Sequence, residues 1–393
     1  MANRHDAAGA ALGYLYQTQW PLVELVRRAR ERPDVELRLE LLDDVEWMAD
    51  GLPKDLVQLK HHLRSTGGVG DMSVDLWRTI AVWLDSGPPG DPDGPSLTLV
   101  TTAVVAVDTA AWFLRPDHHD PPQAQALLDA AAHGSTSNDT KSWRARYLDL
   151  TAEQRQVFVA RIQVLDGAPV IGDLDAELRK ELRFALPLGH EDLFVGLVWD
   201  WWFRAAVGLL QREMPSVSGL SLAAAIDDLR DRFGDDNLPT LVPREAFDDG
   251  SVGNYSTRVF VRQMEFVGAP DLILRKAIQD YYRATTQSAR WIEDHLVDLP
   301  EVARFKDDLK DEWERCFAWE CGTLASGASD DDKRDMGRRL LQRCMDATQV
   351  QIRPRYNEPF YFRGKLHELA DERLVGWHPE YESLLDELMQ AVE

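Results

Sequence analysis

Four polar residues within one short stretch carry the types of side chain that hydrolyse a phosphodiester: Glu40, Asp44, Gln58 and Lys60. Asp44 and Gln58 offer oxygen atoms, the ligands that a hard cation such as Mg²⁺ or Mn²⁺ prefers. Lys60, two residues after Gln58, offers a positive charge where negative charge accumulates on a phosphate. The stretch therefore predicts a metal-dependent hydrolytic site, with Asp44 and Gln58 as metal ligands.

These residues fall on two predicted β-strands within residues 35–63, which are joined by a polar turn around Asp50. Because side chains alternate along a strand, Glu40, Asp44 and Glu46 are expected on one face of the first strand. The same alternation places Asp43 on the opposite face. Gln58 and Lys60 share a face of the second strand. If the strands pair, the carboxylates, the amide and the ammonium group converge on one face of a sheet.

The same pattern has a plainer interpretation. Carboxylates beside a lysine on a strand often form a solvated sheet face with a surface ion pair, which contributes little to stability. Short patterns of this kind also recur by chance. The surrounding elements favour the site.

Helical periodicity predicts a first helix over residues 6–32 and a second over residues 74–84, after the strand pair. Residues 97–105 form a β-branched, apolar run that is typical of a buried strand. From residue 123 onward the pattern is mainly helical. An acidic, proline-containing stretch at 234–254 predicts a boundary between a first domain, 1–240, and a helical second domain, 255–393.

Composition limits the class of protein. The 393 residues include 44 Lys and Arg against 67 Asp and Glu, a net charge of −23 that disfavours unaided binding to a nucleic acid. The 3 cysteines lack metal-ligand spacing and predict reduced thiols. The N-terminus lacks the long apolar stretch that is typical of a signal peptide, and the sequence lacks an apolar run long enough to predict a membrane span. We therefore expect a cytoplasmic protein that does not contact a membrane.

The segment Arg353–Lys365 interleaves basic and aromatic residues within this acidic chain. Such a segment can contact a nucleic acid or the acidic surface of a partner. An ordinary solvated helix face beside a packed aromatic loop explains the composition equally well. We take the segment as the preferred docking surface for a partner, because Arg and Tyr are common interface anchors.

The spacing from Asp44 to the Gln58-x-Lys60 pair resembles the PD-(D/E)XK nuclease superfamily in its Q-x-K variant. Three motifs extend the likeness: G-Y-L-Y-Q at 13–17, E-x-x-D-D-V at 40–45 and V-Q-L-K-H-H at 57–62. Together they look like the double-stranded DNA nucleases of bacterial anti-phage defence, found in CBASS effectors and in Lamassu-type, ABC-three-component systems. The passages F-V-A-R-I-Q-V-L-D-G-A-P at 158–169 and R-x-R-Y-N-E-P-F-Y-F at 353–362 are also similar to the three-component proteins.

The resemblance implies an α+β fold, with a restriction-endonuclease-like αβββαβ core followed by a mostly α-helical C-terminal domain. It implies a Mg²⁺- or Mn²⁺-dependent endonuclease that cleaves double-stranded DNA, with Asp44, Gln58, Lys60 and Glu40 as catalytic residues. It also implies two partners, an SMC-like ABC ATPase and a small accessory subunit. Assembly into a homo-oligomer on activation is the competing mode of control.

Two alternatives stay open from the sequence. The first is a catalytically decayed adaptor that recruits partners through its helical C-terminal domain, which the acidic charge and Gln58 in place of an acid favour. The second is a nuclease for RNA or for modified DNA, because these motifs contact a phosphodiester and not a base.

Overall fold

The computed structural model describes residues 4–61, 69–347 and 349–390. It is a mixed α/β structure with one six-stranded sheet and a helical C-terminal region. Two compact units divide the chain, Met1–Arg230 and Asp231–Glu393. His62, the last residue of the V-Q-L-K-H-H motif, lies outside the described residues.

The first unit contains the whole sheet. Its strands are β1 Glu36–Leu39, β2 Val45–Ala49, β3 Leu52–Lys60, β4 Ser96–Thr101, β5 Ile162–Leu165 and β6 Val217–Ser218. Its helices are α1 Arg4–Glu31, α2 Val74–Asp85, α3 Ala110–Phe113, α4 Pro121–Gly134, α5 Lys141–Leu148, α6 Ala152–Ala160, α7 Leu174–Leu182, α8 Glu191–Leu210 and α9 Gly219–Asp231.

The strand order across the sheet is β5-β4-β3-β2-β1-β6. Strands β1, β2 and β3 are antiparallel neighbours, whereas β4 and β5 run parallel to β3. Helix α2 makes the crossover from β3 to β4 that a parallel pair requires. The elements therefore follow one another as α1, three strands, α2 and a fourth strand.

The first predicted strand is in fact two strands. Residues 40–44 leave the sheet as a loop between β1 and β2, closed by a hydrogen bond of 3.2 Å from the Glu40 N–H to the Asp44 carbonyl oxygen. Glu40 has a φ of 50°, a left-handed conformation that ends β1. Leu41 and Leu42 are exposed on this loop. The prediction that Glu40, Asp43 and Asp44 lie on a strand is therefore wrong, and only Glu46 does.

Helix α2 covers one face of the sheet. It begins after Ser73, whose hydroxyl accepts a hydrogen bond from the Leu76 N–H. Its apolar stripe includes Trp77, Ile80 and Trp83, all buried against the sheet residues Leu56, Leu97, Leu99, Ile162 and Val164. Fully burying one such side chain contributes on the order of 2–3 kcal/mol. This packing fixes the side of the sheet on which α2 meets the end of β3.

Helix α1 is associated with the other face. The Arg28 guanidinium lies 4.3 Å from the ring centroid of Trp47 and 2.8 Å from Oδ2 of Asp55. Tyr16 is fully buried in this layer, with its ring 4.9 Å from that of His61. The helix continues through Pro21, although a proline in a helix interior removes a backbone hydrogen bond.

Contrary to the expectation that no apolar run reaches membrane-spanning length, helix α8 is long and apolar enough to cross a membrane by length and composition, and 44% of its apolar window is buried inside the protein. The core helix of a soluble protein can have the same length and composition. Its buried residues include Phe194, Val198 and Trp202.

The second unit is helical. Its helices are α10 Val259–Phe266, α11 Asp271–Glu293, α12 Leu299–Cys321, α13 Asp330–Met345, α14 Pro359–Asp371 and α15 Tyr381–Gln390. Helices α11 and α14 approach closely at Gly364, where an added Cβ would lie 2.1 Å from the Asp280 carbonyl oxygen. The unit also includes residues 234–254, predicted as an inter-domain stretch. There the N–H groups of Leu241 and Val242 donate to Oε1 of Gln287 at 2.9 and 3.0 Å.

The segment Arg353–Lys365 is largely internal to this unit. Arg353 donates to the Glu301 carboxylate at 2.8 Å and to the Leu296 carbonyl at 2.6 Å. Lys365 is 2% exposed and pairs with Glu368 at 2.7 Å. The aromatic members Tyr356, Phe360, Tyr361 and Phe362 are buried. Arg353 and Lys365 therefore stabilise the unit internally, whereas Pro354, Arg355 and residues 357–359 are exposed. Docking of a partner on this segment stays a prediction.

Candidate active site

The end of β3 brings Gln58 and Lys60 beside the acid that precedes β2. The antiparallel register of β2 and β3 ends at the pair of Val45 and Val57, so Asp44 lies on the loop just before β2, near the end of β3 that carries Gln58. Oδ2 of Asp44 accepts a hydrogen bond of 2.8 Å from the N–H of Leu59, the residue between Gln58 and Lys60. The structure therefore brings together three of the predicted site residues, with Asp44 held from a loop.

Gln58 is the centre of a hydrogen-bond network. Nζ of Lys60 donates to Oε1 of Gln58 at 3.1 Å, which holds the ammonium group over the amide. Nε2 of Gln58 donates in turn to a carboxylate oxygen of Asp43. Gln58 is 5% exposed, and these two hydrogen bonds satisfy both polar ends of its buried amide.

Asp43 was predicted on the opposite face, and that prediction is wrong. Alternation along a strand does not apply to a loop residue, and the loop turns the Asp43 side chain toward Gln58. Its Oδ2 accepts a hydrogen bond of 2.7 Å from the indole nitrogen of Trp83, near the end of α2. Its Oδ1 also accepts from the Asp44 N–H at 2.9 Å.

Burial raises the pKa of the Asp43 carboxyl to about 7, and the neighbouring Asp44 charge adds to this, while the hydrogen bonds from Gln58 and Trp83 oppose it. A cation at this site would favour the charged form of Asp43. The Trp83 contact could not be predicted from the sequence, because a tryptophan on the apolar stripe of a helix indicates only a core position.

Glu40 lies on a different side of Asp44. The two acids line a pocket of about 220 Å³ together with Tyr14, Gln17, Thr18, Leu39 and Leu210. Burial raises the pKa of the Glu40 carboxyl, the Asp44 charge raises it further, and Arg212 opposes both. Arg212 also donates to the Leu39 carbonyl at 2.9 Å, which braces the end of β1. Glu40 is thus a second carboxylate beside Asp44, on the side toward the first helix.

Glu46 supports the loop and is fully buried on β2. Its Oε1 accepts a hydrogen bond from the Leu42 N–H, while no described residue donates to its buried Oε2. Its cross-strand neighbour on β1 is Arg38. Through its contact with Leu42, Glu46 stabilises the loop 40–44, which carries Glu40 and Asp44.

The donor atoms suit a hard cation in type. Asp44 offers a carboxylate and Gln58 an amide oxygen, the chemistry expected for Mg²⁺ or Mn²⁺. Within the described ranges, no group of three or more His, Cys, Asp or Glu side chains is arranged to hold a metal ion. Mg²⁺ is commonly held by one or two carboxylates, with water and substrate phosphates completing its shell. Asp44 and Gln58 fit such a partial shell.

Comparison with known families concerns the second unit. Residues 260–385 match the family described as C-terminal domain 7 of the ABC-three component (ABC-3C) systems. This match supports a place for the chain in an ABC-three-component defence system. Neither the curated proteins nor the solved structures gave a match to this chain.

Proposed function

We propose that this chain is the metal-dependent DNA endonuclease effector of an ABC-three-component anti-phage defence system. The observation that carries the proposal is the gathering of Asp44, Gln58 and Lys60 at the end of β3. The match of residues 260–385 to an ABC-three-component domain supports the same context. The order α1, β1, β2, β3, α2, β4 in the first unit supports an αβββαβ core as proposed for a PD-(D/E)XK nuclease.

Each residue has a role in hydrolysing a phosphodiester. Asp44 and Gln58 hold the divalent cation, which when bound activates a water and neutralises phosphate charge. Lys60 steadies the phosphate as negative charge develops on its oxygens. Glu40 adds a second carboxylate on the other side of Asp44, able to accept a proton from the attacking water. Attack by water forms one P–O bond and breaks another, and the leaving oxygen takes up a proton.

Partners are needed on electrostatic grounds. A chain with a net charge of −23 repels the phosphate backbone at long range, so its own surface gives little affinity for DNA. An SMC-like ABC ATPase and a small accessory subunit supply DNA engagement and hold the nuclease inactive until phage infection. Release by the ATPase, or assembly of several nuclease chains, then permits cleavage.

A plasmid-cleavage assay tests this function. The full-length chain is incubated with supercoiled plasmid and Mg²⁺, alone and with the ATPase and accessory subunit. We expect nicked and linear DNA with the complete set, and intact plasmid when EDTA removes the metal. Single-stranded RNA in parallel reactions separates a DNA nuclease from an RNA nuclease. Intact plasmid in every metal-containing reaction would rule out the proposal.

A second candidate is a non-catalytic adaptor. The observation that favours it is that both ends of Gln58 are already engaged, by Lys60 and by Asp43. For an adaptor, Lys60→Ala would leave phage protection unchanged, whereas for a nuclease the same change removes it. Protection assays with this variant therefore distinguish the two functions.

A further inference from the structure

The Asp43 carboxylate accepts hydrogen bonds from two side chains, Gln58 on β3 and Trp83 on α2. Its Oδ1 accepts from Nε2 of Gln58 and its Oδ2 accepts from the Trp83 indole at 2.7 Å. Asp43 is 6% exposed and Trp83 is 2% exposed, so water does not compete for these bonds. The acid is thereby anchored both to the sheet and to the helix that covers it.

This anchoring decides which end of the Gln58 amide faces Lys60. Both carboxylate oxygens of Asp43 accept hydrogen bonds here, and an ammonium group can only donate them. Turned the other way, the amide would set its oxygen against the carboxylate and its N–H groups against the ammonium. Asp43 therefore fixes Oε1 on the side of Lys60.

We propose that Asp43, itself held by Trp83, is a positioning residue that orients and polarises Gln58, so that a neutral amide oxygen serves as a metal ligand. This inference rests on the proposed function. A carboxylate that accepts from the amide N–H groups draws electron density onto Oε1, because hydrogen bonds in a chain polarise one another. Groups that hold a metal ligand from behind commonly change metal affinity by roughly 10- to 100-fold.

The first test is Asp43→Asn, measured by calorimetric titration of the full-length protein with Mn²⁺ in the absence of DNA. In Asp43→Asn only one oxygen can accept, so either the Trp83 bond to Oδ2 or the Gln58 and Asp44 bonds to Oδ1 are lost, and the new NH₂ group faces a donor. We expect Mn²⁺ affinity to fall by roughly tenfold or more. Trp83→Phe removes only the indole donor and should weaken Mn²⁺ binding in the same direction, by a smaller factor.

A compensating pair separates positioning from simple structural support. Gln58→Glu alone sets two carboxylates against each other and should also lose affinity. In the double variant Asp43→Asn/Gln58→Glu, an amide at 43 donates to a carboxylate at 58, which reverses the polarity of the bond. We expect the double variant to bind Mn²⁺ more tightly than either single variant. Losses that add together in the double variant would overturn the inference.

Asp55 supplies the matched control. It is a buried acid on the same strand but on the opposite face, where it accepts from Arg28 at 2.8 Å and from Thr98 at 2.7 Å. Asp55→Asn should lower thermal stability and leave Mn²⁺ affinity within about twofold of the parent. If Asp43→Asn fails to fold, the comparison passes to Trp83→Phe and the double variant, for which unchanged affinity in the former or failed compensation in the latter overturns the inference.

The two proposals fail differently. A parent protein that binds Mn²⁺ while Asp43→Asn binds it equally well overturns the positioning role alone. A parent protein that does not bind Mn²⁺ at all, with or without DNA, overturns both the positioning role and the metal-dependent nuclease.

Discussion

Oδ2 of Asp44 lies 2.8 Å from the backbone nitrogen of Leu59 and accepts its hydrogen bond. This contact ties the loop between β1 and β2 to the strand residue that separates Gln58 from Lys60. The Asp44 carboxylate, although it lies on a loop, is therefore held by the backbone of β3 near Gln58 and Lys60. The site depends on this contact as well as on the side chains themselves.

Asp44→Asn should lower affinity for Mn²⁺ and slow DNA cleavage, because a charged oxygen ligand of a hard cation is replaced by a neutral one. We expect at least a roughly tenfold loss of affinity by calorimetry. The matched control is Asp50→Asn in the turn between β2 and β3, where φ is 54° and asparagine is well tolerated. An equal loss in both variants would show that general surface charge, and not Asp44, determines binding.

Lys60→Ala should reduce Mg²⁺-dependent cleavage by roughly 10²–10³-fold, the usual effect of losing one group that stabilises charge in the transition state. The change should leave the fold intact, since Lys60 is partly exposed and its ammonium group donates a hydrogen bond to the Gln58 side chain. Lys54→Ala, at the exposed beginning of the same strand, is the control. Cleavage by Lys60→Ala at the parental rate under saturating Mg²⁺ would contradict the role of Lys60.

Much of the local structure follows from periodicity. Residues 6–32 and 74–84 were predicted as helices, and the structure has α1 Arg4–Glu31 and α2 Val74–Asp85, within two residues of these bounds. The shared face of Gln58 and Lys60 is a direct consequence of their spacing of two on β3. Such features depend on nearest neighbours along the chain, which the sequence displays.

The loop at 40–44 shows where periodicity fails. Residues 40–44 were predicted to continue the first strand. In the structure Glu40 adopts a left-handed conformation, and the chain leaves the sheet there. Once the strand ends, face assignments by alternation lose their basis, so Asp43 could not be placed. Its partner Trp83 is 40 residues away in sequence, and the bond between them depends on how α2 packs.

The segment Arg353–Lys365 shows the same limit in charge patterns. Seven Lys or Arg against two acids between residues 338 and 365 indicated a basic surface. The acids that neutralise this segment, Asp231, Glu301 and Glu368, lie before or after it in sequence. Local charge therefore did not predict surface charge.

A buried acid of the second unit should make stability depend on pH. Burial raises the pKa of Asp280 from 3.8 to about 6, against the opposing charges of Arg363 and Arg283. Since the folded-state pKa lies above the unfolded one, ionised Asp280 disfavours the folded state at pH values above about 6. This penalty shrinks as the pH falls through 6 and vanishes below the unfolded value of 3.8.

Asp280→Asn should therefore stabilise the second unit at pH 8, by up to about 3 kcal/mol for a shift of about two pKa units. The gain should shrink at about pH 5.5. Urea unfolding of the full-length parent and variant at both pH values measures it. Asp371→Asn is a useful contrast, because Asp371 forms an ion pair of 3.0 Å with Arg258. Loss of this ion pair should lower the stability of the second unit. An equal gain for Asp280→Asn at both pH values would contradict the titration.

The second unit should be the part of the chain that binds the ABC ATPase. Its match to an ABC-three-component domain supports this role. Because Arg353 of its basic segment is bonded within the unit, other exposed residues are candidates for the contact with the ATPase. Trp319 on α12 is 67% exposed, and the Arg343 guanidinium lies 5.6 Å from its ring centroid. Exposed tryptophan and arginine together are typical of the residues that dominate binding at protein interfaces.

Trp319→Ala should therefore reduce co-purification of the full-length chain with the ATPase by roughly tenfold or more, the usual effect of removing an interface anchor. Phe203→Ala is the matched control, since Phe203 is an equally exposed aromatic residue, at 67%, in the first unit. Neither change removes a buried group, so both variants should unfold at the parental temperature. A chain ending at Arg230 provides the complementary test, because it lacks the whole second unit. If that shortened chain co-purified with the ATPase as well as the full-length chain does, partner binding would belong to the first unit.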